Sequence, residues 1–239
     1  MATLSQKFYE ATYRVANKSA KPKNLINKLY LILRKFETYR DNVAYRFIPQ
    51  GGNLIDIGCG NGNLVFKSLS KTKLSIGIDV GRPRLAIAIN KAKSLSRNKR
   101  NRVKFLVLDV DNRLPYKNNF FDTVTMIAVL EHLFDPYSVL NECKRILKKN
   151  GSIIIQVPNL GFFPRRFDVL LGRLPVTSED EAGWDGGHLH YFTVSTLKEL
   201  LTSSGFTIKT VTCSGLFAYL RSWWVELLGG DIIVHAVKN

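Results

Sequence analysis

The chain of 239 residues holds only three cysteines, Cys59, Cys143 and Cys213, far apart and with no CxxC pair. An odd, scattered set argues against a disulfide framework and against a zinc knuckle, and leaves small buried thiols as the expected state. Long apolar runs are missing too. Stretches such as Ile153-Ile154-Ile155 fall far short of the roughly 20 apolar residues that a membrane-spanning helix needs, which excludes an integral membrane protein of that kind. The opening Met1-Ala2-Thr3-Leu4-Ser5-Gln6-Lys7 has no basic stretch followed by an apolar segment, so no secretory signal is read there and a cytoplasmic location is expected. Acids are also scarce. Nineteen Asp and Glu against 35 Lys and Arg leave a formal charge of +16, a surface that attracts phosphates, nucleic acid or acidic lipid headgroups. Residues 1–47 carry ten basic against three acidic side chains, a net of +7, and Lys91 to Lys104 has no acid at all.

What is present is a regular alternation. Residues 5–47 carry apolar positions at helical spacing on either side of Lys21-Pro22, predicting two helices before the first strand. After Pro49 and Gly51-Gly52, strand-like runs follow at Asn53–Ile57, Leu74–Asp79, Val103–Leu108, Phe121–Ile127 and Ser152–Val157. Helical stretches lie at Asn63–Ser70, Pro83–Ser96 and Leu130–Lys149. Strands that are almost continuously apolar and joined by helices predict a parallel sheet covered on both faces, an α/β doubly wound fold. Phe162 to Tyr191 breaks the rhythm with Pro164, Pro175 and several glycines, and is read as a lid-like insertion after the fifth strand. A helix over Ser195–Ser204 and strands over Phe206–Cys213 and Asp231–Val237 complete seven strands, with Trp223-Trp224 between the last two. The expected layout is a single domain: a helical cap over residues 1–48, a core over 49–160, the insertion over 161–192, and a C-terminal helix and strands over 193–239.

The sharpest signal is Asn53-Leu54-Ile55-Asp56-Ile57-Gly58-Cys59-Gly60-Asn61-Gly62, an apolar strand entering a turn of three alternating glycines that opens a helix. Glycines there allow positive φ and close approach of the backbone to a ligand, and the helix aims its free N–H groups at whatever binds. A bare run of such glycines also occurs in dinucleotide-binding enzymes. The acid two places before the first glycine makes the pattern D-x-G-x-G-x-G, which resembles the first motif of class I S-adenosylmethionine-dependent methyltransferases. Three more segments match that family in order: Ile76-Gly77-Ile78-Asp79, Phe105-Leu106-Val107-Leu108-Asp109-Val110, and Asn118 through Leu133, which contains Val129, Glu131 and His132. The resemblance covers about residues 50–160. Val157-Pro158-Asn159 and Gly187-His188-Leu189-His190-Tyr191-Phe192-Thr193 extend it to a subgroup found with polysaccharide, lipid and quinone pathways. It implies a mostly parallel seven-stranded sheet and S-adenosylmethionine as cofactor, with S-adenosylhomocysteine as product. It also implies a cofactor site built from Asp56, Gly58, Cys59, Gly60, Gly62, Asp79, Val80, Asp109, Val110, Val129 and His132, with Asp79 accepting the ribose hydroxyls and Asp109 near the adenine amino group.

The cofactor already carries an activated methyl, so the protein need only align the acceptor, exclude water and sometimes remove a proton. An alcohol acceptor needs a general base, and histidine has a suitable pKa. Of four histidines, His188 and His190 are the candidates, since two residues apart on an extended piece they share a face; a role tying the lid to the domain is the alternative. His132 is read as orienting its turn, Glu131 as answering free backbone N–H groups, and His235 as structural. His188, His190 and Asp185 lack a third fixed ligand, so no metal is expected. The expected activity is O-methylation of a small-molecule, sugar or lipid-linked acceptor. A variation seats the enzyme peripherally on an anionic membrane through Lys21, Lys23, Lys28, Arg34 and Lys35, with Trp223 and Trp224 inserted. The competing expectation is an RNA methyltransferase using the basic surface. Against it, Ala128-Val129-Leu130-Glu131 stands where amino-group methylating enzymes carry Asn-Pro-Pro-aromatic. A cofactor-binding protein without catalysis is the third alternative.

Overall fold

The computed structural model describes residues 36–178 and 184–239. The basic residues of the expected N-terminal cap through Lys35 lie outside the described residues. The first described element is not helical: β1 (Glu37–Thr38) pairs antiparallel with β8 (Gly215–Leu216) in a two-stranded sheet. Helix α1 (Arg40–Phe47) follows and buries Val43 and Ala44.

A seven-stranded sheet forms the centre. Its strands are β2 (Asn53–Ile57), β3 (Leu74–Asp79), β4 (Val103–Val107), β5 (Phe121–Ile127), β6 (Leu147–Pro158), β7 (Phe206–Thr212) and β9 (Asp231–Lys238), in the order β4-β3-β2-β5-β6-β9-β7. Pairings from β4 through β6 are parallel, and only β9 runs antiparallel to its neighbours β6 and β7. The expected α/β doubly wound, mostly parallel seven-stranded sheet is the one observed.

Alternation along each central strand divides the core between the two faces. Leu54, Ile154 and Ile233 pack with Val43 and Ala44 of α1 and Leu64 of α2 (Asn63–Ser68). Their neighbours Ile55, Ile153, Ile155, Ile232 and Val234 join the other face with Leu140 of α5 (Pro136–Ile146) and Leu197 of α7 (Val194–Ser203). Two further helices, α3 (Arg82–Lys93) and α4 (Arg97–Arg100), connect β3 to β4.

Several boundaries differ from expectation, among them the helix read to Lys149, which ends at Ile146 so that β6 begins at Leu147 rather than Ser152. The helix expected to begin at Leu130 begins at Pro136, because Asp135 caps it: its Oδ1 accepts the N–H groups of Tyr137 at 3.0 Å and Ser138 at 3.2 Å. Proline at the first helical position needs no hydrogen bond there. Residues Leu130–His132 form a separate 3₁₀ turn. The described part of the insertion contains α6 (Phe163–Leu170) and a 3₁₀ turn at Trp184–Gly187. Arg165 pins it: Nη1 donates to the carbonyls of Asn159 at 2.8 Å and Gly230 at 2.7 Å. Short helices α8 (Ala218–Arg221) and α9 (Val225–Leu228) complete the segment before β9.

Candidate functional site

In a parallel sheet the strand order reverses beside the first strand, and the carboxyl edge opens there. Here that point lies between β2 and β5, and a cavity of about 1050 Å³ occupies it. Its lining includes Asp56, Gly58, Cys59, Asp79, Val80, Asp109, Val110, Val129 and His132. Nine of the eleven residues expected at the cofactor site therefore face one space. Gly60 and Gly62 are outside the lining, and their work is in the turn itself.

Two glycines are sterically required. Gly58 has φ +68°, and a Cβ on it would stand 2.3 Å from Cγ2 of Val129; Gly60 has φ +51°, with the Arg84 guanidinium 2.8 Å from where its Cβ would be. A larger residue at either position meets both backbone strain and a neighbour. Asp79 holds the turn in shape, with Oδ2 accepting the Gly60 N–H at 2.7 Å and Oδ1 accepting the Gly81 N–H at 2.7 Å. Each of these oxygens keeps a lone pair for a ligand hydroxyl.

Asp56 sits deeper. The Thr125 hydroxyl on the adjacent strand donates to its Oδ1 at 2.6 Å. Burial lifts its pKa from 3.8 to about 8, with that hydrogen bond opposing the shift. Nearby, Ala128 at the end of β5 holds φ +55°, a conformation unusual for a residue with a Cβ and typical of strained functional turns.

Another part of the cavity wall is built around Glu131, His132 and His188. Glu131 is buried, and neither carboxylate oxygen has a hydrogen-bond partner among the described residues. From the sequence its charge is expected to answer the free N–H groups of the turn; in the fold its backbone carbonyl also takes N–H groups, accepting from Leu189 at 2.8 Å and His190 at 3.0 Å. Burial raises its carboxyl from 4.5 to about 8, opposed by its own backbone N–H and by Arg40. The orphan acceptors Asn61 Oδ1 and Gln156 Oε1 also belong to residues lining the cavity. Buried acceptors left open around one cavity suit a ligand rich in N–H and O–H donors. The amino group and ribose of S-adenosylmethionine are such donors, so the residues present fit that cofactor.

His188 and His190 do not share a face. The chain at His188 leaves a 3₁₀ turn, so the side-to-side alternation of a strand does not apply, and only His188 lines the cavity. His188 is held by a short relay in which Nδ1 lies 2.7 Å from the Thr177 hydroxyl, which donates to Asp185 Oδ2 at 2.6 Å. Burial works against the Asp185 charge. The Thr177 hydroxyl, the Ser178 and Thr177 N–H groups and His188 outweigh it and hold the carboxyl below its ordinary value. His190 instead lies near Phe192, with ring centroids 6.4 Å apart. His132 Nδ1 lies 3.2 Å from the Gly187 carbonyl, and its ring meets that of His188 edge-on at 4.7 Å. Glu131, His132 and His188 place one possible metal-ligating atom each within 4.8 Å of one another. That trio differs from the His188, His190 and Asp185 grouping weighed from the sequence. His235 lies 3.0 Å from the Ser152 hydroxyl and stacks on Phe47, outside the cavity lining.

Sequence reading missed Arg84, Asn61, Gln156 and Thr177. Asn61 lies inside the glycine motif and could have been named; the other three reach the cavity from separate elements with no shared spacing. Among the described residues, no helix is long and apolar enough to cross a membrane.

Comparison with known proteins agrees with this geometry. The family described as "Methyltransferase domain" matches residues 32–211. A mitochondrial ubiquinone biosynthesis O-methyltransferase from Dictyostelium discoideum is 30% identical over 154 residues, 59% of this chain and 48% of that protein. The chain thus aligns with about half the length of that relative. A ubiquinone biosynthesis O-methyltransferase from Acinetobacter baumannii is 22% identical over 197 residues, covering 79% of this chain and 78% of the other. Among solved structures, an S-adenosylmethionine-dependent methyltransferase from Thermotoga maritima, described as a possible histamine N-methyltransferase, superposes with TM-score 0.62 at 18% identity, over 97% of this chain and 100% of that one. A matching family over three quarters of the sequence, a shared sheet and a cavity lined by the motif residues at its switch point place the chain in the class I S-adenosylmethionine-dependent methyltransferase family.

Proposed function

We propose that the chain O-methylates a small-molecule, sugar or lipid-linked hydroxyl, with His188 as the base. The observation that carries this reading is the relay Asp185–Thr177–His188 at the cavity wall. With the Thr177 proton committed to Asp185, its oxygen accepts the His188 Nδ1 proton, which leaves Nε2 as the basic nitrogen. The orienting acid keeps that tautomer and favours the imidazolium formed when a hydroxyl is deprotonated. S-adenosylmethionine, when bound, supplies a sulfonium-activated methyl group.

In this reading Gly58 and Val80 provide close backbone approach, Asp79 takes the ribose hydroxyls, and Asp109 with Val110 flanks the adenine. Glu131, Asn61 and Gln156 offer the open buried acceptors. Val129 and His132 bound the space where methyl and acceptor meet. Arg165, Thr177 and His188 of the insertion close part of the wall against water, which strengthens each of these polar contacts. The relatives named for O-methylation in ubiquinone biosynthesis support an oxygen acceptor.

The test is direct. Incubation with methyl-labelled S-adenosylmethionine and host extract, followed by separation into lipid, glycan, RNA and protein fractions, should put label in lipid, glycan or small-molecule products. Label released by ribonuclease would overturn the reading in favour of an RNA acceptor.

A further inference from the structure

The cavity extends past the cofactor motifs. Those motifs sit at and just past the ends of β2, β3 and β4 and in the turn after β5, whereas the lining continues to the end of β6 and the start of β9, three strands beyond β2 in the sheet. At about 4.8 Å between neighbouring strands, that is roughly 14 Å along the carboxyl edge. Two guanidiniums, Arg165 from α6 and Arg221 at the end of α8, line this far end with Ser214, Gly230 and Asp231. They flank one ring, their central carbons standing 5.9 Å and 6.0 Å from the centroid of Phe162.

Neither cation has an ion pair among the described residues. The acids that act on Arg165 from a distance, Asp185 and Asp231, are committed elsewhere. Asp231 accepts the Ser214 N–H at 2.7 Å and the Ser214 hydroxyl at 2.6 Å, and Asp185 accepts from Thr177 and Ser178. Besides its bonds to Asn159 and Gly230, Arg165 donates from Nε to the Val176 carbonyl at 3.2 Å and from Nη2 to the Thr177 carbonyl at 3.4 Å. These neutral partners fix the group without cancelling its charge. Arg221 donates from Nη2 to the Ser214 carbonyl at 2.7 Å, while its Nε is buried with no partner among the described residues. The other buried, unpartnered side-chain atoms of the cavity-lining residues, on Asn61, Glu131 and Gln156, are acceptor oxygens; Arg221 Nε is the one donor in that set. A buried N–H left open beside a cavity is costly until an acceptor arrives.

We propose that Arg221, backed by Arg165, is the subsite for an anionic oxygen group on the methyl acceptor, a carboxylate or a phosphate, so that the substrate class is a hydroxyl compound that also carries an oxyanion. The identity of this ligand as the acceptor rests on the methyl-transfer reading above; the binding of an anion does not. A guanidinium presents a planar fork of N–H donors that meets two oxygens of one anion, and its charge roughly doubles the strength of each bond. The subsite is tied to the base as well. Arg165 holds the Thr177 carbonyl, and the Thr177 hydroxyl holds His188. An acceptor gripped by its anion is therefore oriented by the same segment that carries the proton relay. A neutral analogue leaves the Arg221 Nε unpaired, and a site built on buried donors rejects a ligand that lacks their partner.

The test titrates the full chain loaded with S-adenosylhomocysteine and needs no turnover. Benzoate and inorganic phosphate serve as probes, with benzamide as the neutral control. The wild type should bind one of the two anions at least about tenfold more tightly than benzamide, the scale of a hydrogen bond to a charged group. Preference for benzoate marks a carboxylate acceptor, and preference for phosphate a phosphorylated one. Arg221→Met should lose the preference while S-adenosylhomocysteine affinity and thermal unfolding stay those of the wild type; Arg221→Lys, which keeps the charge without the fork, should keep part of it. With the acceptor that takes the label, Arg221→Met should raise KM about tenfold and leave kcat nearly unchanged. Failure of the wild type to bind either anion, equal binding of benzamide, or a folded Arg221→Met that keeps the preference overturns the subsite, and the wild-type titration decides even where the variant does not fold. Anion binding without label in any lipid, glycan or small-molecule product would overturn the methyl-transfer reading instead and leave the anion site standing.

Discussion

Asp79 and Gly60, nineteen residues apart, are joined by a 2.7 Å hydrogen bond from the glycine N–H to the carboxylate. The acid at the end of one strand therefore shapes the glycine turn after another. Asp79→Ala removes this support together with the acceptor offered to ribose, and should weaken S-adenosylmethionine binding by about 2 kcal/mol, the scale of hydrogen bonds to a charged group. Asp79→Asn should lose less, since one oxygen acceptor remains. Calorimetric titration reads both, and unchanged affinity would remove Asp79 from the site.

Glycine substitutions should be harsher. Gly58→Ala puts a methyl 2.3 Å from Val129 Cγ2 on a backbone held at φ +68°. The left-handed conformation alone costs about 1–2 kcal/mol. Pairing it with Val129→Ala should relieve the clash and leave that backbone strain, so cofactor affinity should recover in part. Gly60→Val puts a branched side chain on a backbone held at φ +51°, with the Arg84 guanidinium to be displaced, and should weaken binding more strongly than Gly58→Ala.

The histidines should separate by kinetics. His188→Ala should lower kcat by on the order of 10²–10⁴, the usual contribution of a general base, with cofactor affinity kept. His190 is outside the cavity lining, so His190→Ala should leave kcat near the wild-type value. Asp185→Asn should fall between them. A strong chelator should not change turnover; if it abolishes turnover and one divalent cation restores it, the Glu131, His132 and His188 trio holds a metal and the proton relay is not the mechanism.

Stability should depend on pH in a definite direction. Asp56 and Glu131 both titrate near 8 when folded, having been raised from 3.8 and 4.5 by burial. Between about pH 4 and 8 the folded chain keeps protons that the unfolded chain has released, so these groups make stability fall as pH rises and level off above about 8. Glu131→Gln should flatten that decline without abolishing it, since Asp56 remains. Urea midpoints measured across this range check it; parallel curves for variant and wild type would contradict it.

The fold was legible because its signals are local. An apolar strand, a turn whose glycines must take positive φ, and a helix lie in contiguous sequence at Asn53–Ser68, and the same rhythm repeats through β6. Errors arose where structure depends on a distant partner. Glu37–Thr38 is a strand only because Gly215–Leu216 lies against it. Even the start of α5 was readable, since Asp135-Pro136 is a cap followed by a residue suited to the first helical turn.

Sequence alone determined the sheet, its strand sequence and the motif positions at the carboxyl edge, because hydrophobic period and turn chemistry act over a few residues. Tertiary structure decided which histidine meets the cavity, that Glu131 is buried with open oxygens, and that Thr177 and Asp185 orient His188. Those facts require segments roughly 45 to 60 residues apart to close over one space, and no spacing rule records which side chains a folded loop turns inward.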